Sequence, residues 1–222
     1  MSRLQWKNKF LELSVFLFIA TTIGLLTSCS LIQNRTETNQ MTSHDDEMAG
    51  HSMSMDLGPA DAQFDLRFID GMILHHEGAV IMAKEALQKS KRPEIQQLAN
   101  EIIKAQEKEI AQLQQWRKSW YPDAGEKPVA YSDSMRHTMS MSKKQIKSMR
   151  MDMDLGAADA KFDLRFINGM IPHHEGALVM AQEALNKSNR PEIQKLSQDI
   201  ISSQQKEIDQ MKQWRQSWYQ AS

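Results

Sequence analysis

Histidine and methionine are the residues here that could do chemistry. The 222-residue chain holds seven His, 16 Met and a single Cys, and every His lies within four residues of a Met. One set reads Met72-Ile73-Leu74-His75-His76 with Met82 beyond it, and recurs as Met170-Ile171-Pro172-His173-His174 with Met180. A second pattern, His-x-Met-x-Met, occurs as His51, Met53, Met55 and as His137, Met139, Met141. Met149, Met151 and Met153 continue it, and His44 and Met48 precede it. Imidazole nitrogen and thioether sulfur, without thiolate, suit Cu(I) and by analogy Ag(I). A thioether is not protonated near neutral pH and stays a donor in acidic surroundings. Zinc prefers Cys, His and carboxylate, so the methionine excess argues against it. His44 with Asp45, Asp46 and Glu47 is a harder set that suits Cu(II) as a secondary mode.

The two patterns carry different weight. On a helix Met72 precedes the His pair by three and four residues and lies beside either ring. Met82 follows His75 by two turns on the same face. Adjacent His side chains diverge, so one faces the core and the other a groove or the partner helices. Core-filling methionine shows the same spacing, and a duplication copies filler as faithfully as ligands. The His-x-Met-x-Met segments are 86 residues apart and lie in polar, flexible surroundings. Methionine gains nothing there as filler and is open to oxidation, so ligation is the better reading.

The elements that must position these residues follow from an internal repeat. Met55 to Tyr121 aligns without gaps on Met153 to Tyr219 at an offset of 98, with about 70 % identity. In each copy Phe64, Phe68, Met72, His75, Ala79, Met82 and Ala86, or their counterparts, follow three- and four-residue steps. That predicts a helix over 61–90. Pro93 then opens a second helix, to Trp120. Its apolar stripe is Ile95, Leu98, Ile102, Ile110, Leu113 and Trp116, interrupted by Gln106. The short loop makes the two helices antiparallel neighbours. One hairpin cannot cover both stripes, so the expectation is all-α: two tandem hairpins forming an antiparallel four-helix bundle. The hairpins are 58–121 and 155–222, joined by a Met-rich linker, 122–154. Pairing of hairpins between molecules would give an oligomer.

The first 28 residues read as an export signal: Arg3, Lys7 and Lys9 precede an apolar stretch from Ser14 to Leu26. Leu26-Thr27-Ser28-Cys29 resembles a lipobox, which would make Cys29 the lipidated N-terminus and anchor the protein to a membrane. Residues 29–57 follow as a flexible His/Met-rich segment. Beyond Cys29 the chain has no cysteine, so no disulfide holds the fold. The 27 basic and 28 acidic residues form no basic stripe with interleaved aromatics, which argues against nucleic acid.

Phe166 to Ala181, Phe-x3-Met-Ile-Pro-His-His-x2-Ala-x2-Met-Ala, resembles the bacterial ferritin-like family of formerly unknown function that includes CopM-like periplasmic copper-binding proteins. The first repeat keeps the motif with Leu74 for the proline. The resemblance implies a ferritin-like four-helix bundle and copper sequestration, resistance or delivery, with an exporter or a copper-requiring acceptor as partner. It points to Met72, His75, His76 and Met82, and to Met170, His173, His174 and Met180. No catalytic role is expected. A ferritin-like di-iron oxidase would need Glu-x-x-His on two helices, but Met72, Ile73, Met170 and Ile171 stand three residues before the His. Gln106, Glu109, Gln204 and Glu207 remain as polar core positions. A third reading is a tethered, metal-free interaction module presenting Trp116, Trp120, Trp214 and Trp218, residues that equally suit packing at the ends of the helices.

Overall fold

The computed structural model describes residues 55–219. His44, Met48, His51, Met53, Cys29 and the export segment lie outside the described residues. The element order is α1 (Phe64–Lys89), α2 (Pro93–Trp120), β1 (Val129–Ser132), β2 (His137–Ser140), α3 (Lys143–Arg150), α4 (Phe162–Lys187) and α5 (Pro191–Tyr219). The protein is therefore mostly helical with a small two-stranded sheet, where the sequence led us to expect helix alone. Pro93 and Pro191 sit in the first turns of α2 and α5, where a missing N–H costs nothing. Pro172 lies inside α4 without ending it.

Helix α1 packs on α2, α4 on α5, and α1 against α4. Two apolar clusters result, each drawing on all four long helices. One joins Met82, Ala83 and Ala86 of α1 and Ile95, Leu98 and Ile102 of α2 to Phe162, Phe166 and Met170 of α4 and Ile208 and Met211 of α5. The other joins Phe64, Phe68 and Met72 of α1 and Leu113 of α2 to Ala177, Met180 and Ala184 of α4 and Ile193, Leu196 and Ile200 of α5. The late half of α1 thus meets the early half of α4, and the reverse. Equivalent contacts recur across the repeats. Arg92 pairs with Asp163 and stacks over Trp218, while Arg190 pairs with Asp65 and stacks over Trp120. Lys89 donates to the Gly156 carbonyl and Lys187 to that of Gly58.

The segment between the repeats is more ordered than its polar composition suggests. Strands β1 and β2 pair antiparallel, Val129 opposite Ser140 and Ser132 opposite His137. Asp70 anchors this hairpin: its carboxylate accepts from Arg117 Nε at 2.5 Å and from the Val129 amide at 2.9 Å. Burial raises the Asp70 carboxyl above the usual range, against the pull of Arg117 and Val129. The second repeat has Asn168 at the equivalent position, where it accepts from Arg215 at 3.2 Å. Arg67 is fully buried and donates to the carbonyls of Leu57 and Pro59, to Asp61 and to Thr138 Oγ1. It ties 57–61 and β2 to α1. Helix α3 starts with a capping box, Ser142 and Gln145 bonding each other's backbone, and ends at Met151 with φ 49°.

Candidate metal centre

The His pairs lie at the middle of α1 and α4, between the two apolar clusters, and all four rings are at most 1 % exposed. The two members of a pair face different ways. His75 turns to the other repeat and stacks on His173, centroids 3.9 Å apart and planes 19° apart. His76 turns to its own α2, where Nε2 lies 2.7 Å from Glu109 Oε2 without hydrogen-bond alignment. His174 likewise turns to α5, with Nε2 2.5 Å from Glu207 Oε2.

Close approach of α1 and α4 is what permits the stack. A Cβ on Gly78 would lie 1.8 Å from the Arg150 carbonyl oxygen and 3.0 Å from His173 Nε2. On Gly176 it would meet His75 Cε1 at 3.3 Å and Met55 Cε at 3.4 Å. Each glycine lies three residues after the first His of its own repeat and makes room for the His of the other.

The rings are held through specific nitrogens. His173 Nε2 lies 3.0 Å from the Arg150 carbonyl. His75 Nε2 lies 2.8 Å from the His173 carbonyl, and its Nδ1 lies 3.0 Å from the Met149 carbonyl. Burial, outweighing these carbonyls, lowers the His75 pKa to about 4, and burial with the neighbouring imidazoles takes His173 well below its ordinary value. His75 is therefore neutral near pH 7 and donates to only one of its two carbonyls. The Nδ1 atoms of His76, His173 and His174 are buried without a partner. With Nε2 of the neutral His173 donating to the Arg150 carbonyl, its Nδ1 is the lone-pair nitrogen. That is how a ligating imidazole is prepared: its N–H is held by a carboxylate or carbonyl and its free nitrogen faces the ion. Gln106 and Gln204 Oε1 are also buried and unpartnered. Among the described residues no group of three or more His, Cys, Asp and Glu is placed to hold a metal ion.

The methionines divide. Met72, Met82, Met170 and Met180 are fully buried, Met72 with Met180 in one cluster and Met82 with Met170 in the other. They complete the apolar packing. The His-x-Met-x-Met of the linker is split: His137 and Met139 are exposed on β2, whereas Met141 is buried. Met55 is buried too and belongs to the second cluster. Met149 and Met151 are half-buried against that cluster, and Met153 is exposed. Sequence reasoning missed the spacing role of Gly78 and Gly176, although both stand inside the repeated His-His-Glu-Gly. It missed Arg67 and its four partners, which no local signal reveals.

Comparison with known proteins gives consistent matches. The family model described as "Domain of unknown function (DUF305)" matches residues 20–117 and 65–215. Among solved structures, CopM in its Cu(II)-bound form is 43 % identical over 70 % of this chain and 97 % of its own, with a TM-score of 0.57. CopM in the Cu(I)-bound form is 39 % identical at the same coverage, TM-score 0.54. A DUF305 fragment from Deinococcus radiodurans is 26 % identical over 70 % of this chain and 96 % of that one, TM-score 0.51. Among curated proteins, an uncharacterized protein (L153) of Acanthamoeba polyphaga mimivirus is 47 % identical over 49 residues. That match covers 22 % of this chain and 32 % of the mimivirus protein, about a third of its length. None of these matches supports the ferritin-like designation that the motif suggested.

Proposed function

The chain belongs to the DUF305 family, and from that membership we propose that it binds Cu(I) or Ag(I) through histidine and methionine outside the cytoplasm, to sequester or hand on copper. The observation that carries this reading is the set of buried, unpartnered Nδ1 atoms of His76, His173 and His174. A buried polar atom without a partner costs about 1–3 kcal/mol, and an ion that accepts a lone pair from such an atom removes that cost. Neutral imidazoles and thioethers match a soft monovalent ion of low coordination number. The CopM structures, solved with Cu(I), Cu(II) and Ag, support the same cargo.

In this reading the four long helices act as an antiparallel four-helix bundle that shields the ion from water and oxidant. His173 and His174 offer Nδ1 donors on different sides of α4, the Arg150 carbonyl and Glu207 orient their rings, and Met72, Met82, Met170 and Met180 supply a polarisable surround. Export and a lipid anchor at Cys29 complete the reading. Replacing Cys29 by Ala should release the protein from membrane fractions and lower its mass by the lipid. Unchanged fractionation and mass would remove the anchor.

The deciding experiment is anaerobic titration of Cu(I) against a competing chelator, with Zn(II) and Cu(II) in parallel. More than one Cu(I) per chain, bound much more tightly than Zn(II), is expected. Equal or tighter Zn(II) binding would overturn the assignment to a soft ion.

A further inference from the structure

Outside the long helices the structure brings three methionines to one place. A cavity of about 210 Å³ is lined by Met55 and Asp56 ahead of α1, Ala130, Tyr131 and Asp133 of the β1 hairpin, and Met141, Gln145, Ser148 and Met149 around α3. Met55, Met141 and Met149 come from three segments up to 94 residues apart, and two of the three side chains are under 10 % exposed. We infer that this cavity is a second site for a soft monovalent cation, walled by three thioethers and distinct from the buried imidazoles. The inference rests on the copper reading above and adds a location to it.

Three observations carry it. Methionine used as filler leaves no void, because its flexible stem follows the space available; here three of them border space large enough for an ion. Three neutral sulfur donors select Cu(I) or Ag(I) over Zn(II), Mg(II) or Ca(II). The lining includes the Asp133 carboxylate and no cationic side chain, while its other carboxylate, Asp56, is paired with Lys187, and that balance does not oppose a positive ion.

The cavity also has a defined relation to the histidines. The Met149 carbonyl lies 3.0 Å from His75 Nδ1, and His75 Cε1 and Met55 Cε lie within 3.4 Å of the point that a Cβ on Gly176 would occupy. Asp133 and Gln145 on its rim are exposed, whereas the four imidazoles are at most 1 % exposed. The thioether cavity is thus open to solvent where the imidazoles are not.

The test uses the full chain labelled with ¹³C at the methionine methyls, with Ag(I) as a redox-inert probe. The methyl resonances of Met55, Met141 and Met149, assigned from single Met→Leu variants, are expected to shift together over one added equivalent. Native mass spectrometry of the Met55→Leu, Met141→Leu, Met149→Leu triple variant is expected to show one fewer Ag(I) than the parent chain. Methyls that stay still or move independently, or an unchanged ion count, overturn the site. If the triple variant does not fold, the parent methyl spectrum decides alone. No Ag(I) bound anywhere would instead overturn the copper reading itself, and Ag(I) confined to the imidazoles would leave that reading standing without this site.

Discussion

His75 and His173 occupy the same position in the two repeats, 98 residues apart, and stack on each other at 3.9 Å. The approximate two-fold relation between the repeats runs between these rings. Everything proposed for the centre depends on how closely α1 and α4 approach there, which is set by Gly78 and Gly176.

The two glycines should respond unequally. Gly78→Ala drives a Cβ into the Arg150 carbonyl at 1.8 Å, and backbone cannot swing aside as a side chain does. Overpacking of this kind costs about 1–3 kcal/mol or more. Gly176→Ala meets His75 and Met55 Cε at 3.3 Å and beyond. That strain is offset by alanine's helix preference of about 1 kcal/mol, so its net effect is about zero. Urea unfolding of both variants measures the difference. Equal losses would show that the Arg150 carbonyl does not approach Gly78 as described.

Metal-free protein should lose stability as pH falls from about 6.5 towards 4. The His75 pKa is lowered to about 4 from 6.5, so in that window the unfolded chain binds a proton that the folded chain refuses. The stability is present in full above the unfolded pKa and is lost through the folded one. A depression of this size corresponds to roughly 3 kcal/mol, and His173, depressed for the same reason, adds in the same direction. Unfolding free energies at pH 7, 6 and 5 check it; a flat profile over that range contradicts neutral, buried rings.

Glu207→Gln should weaken Cu(I) binding about 10–100-fold with little change in fold, as loss of an outer partner of a ligating histidine does. The carboxylate is 18 % exposed, so the cost of substituting it is small. Chelator competition gives the affinity and circular dichroism the fold. Unchanged affinity would place the ion away from His174.

Arg67→Met should cost more than Arg165→Met. Arg67 is fully buried and serves four acceptors, including Thr138 of β2, whereas Arg165 is 33 % exposed and serves Leu155, Ala157 and Asp159. Leaving the buried Leu57 carbonyl without its donor costs about 1–3 kcal/mol, so a loss of about that size is expected at Arg67 and a smaller one at Arg165. Proteolysis within 122–142 should rise only in the Arg67 variant. A similar rise in both would mean that Thr138 is not what Arg67 secures.

What the sequence revealed depended on how local the signal was. Pro93 and the apolar stripe marked α2 from Pro93 to Trp120, and the observed helix has those bounds. The His pairs stood out by type and spacing. Which ring faces which neighbour did not, because that depends on α2 and α4 packing on two sides of α1. The β1 hairpin was missed because its strands are four residues long and its anchors, Asp70 and Arg67, lie 59 and 71 residues upstream of the groups they hold. Helix α3 was legible in Ser142-x-x-Gln145, which a search led by hydrophobic period passes over. Met55 and Met141 sit in polar stretches, and only tertiary packing buries them.

The reciprocal clasp, Arg92 on Trp218 and Arg190 on Trp120, has a consequence for symmetry itself. Two separate copies of one repeat would make both clasps identically, as an isologous dimer does, and every residue on the axis would have to face its own twin. Carrying both halves on one polypeptide removes that compulsion. Asp70 can hold the Val129 amide while Asn168 takes only Arg215, and Met55 can be buried while Met153 faces water. The chain keeps the same residue at His75 and His173, stacked on each other, and has become a heterodimer of itself around them.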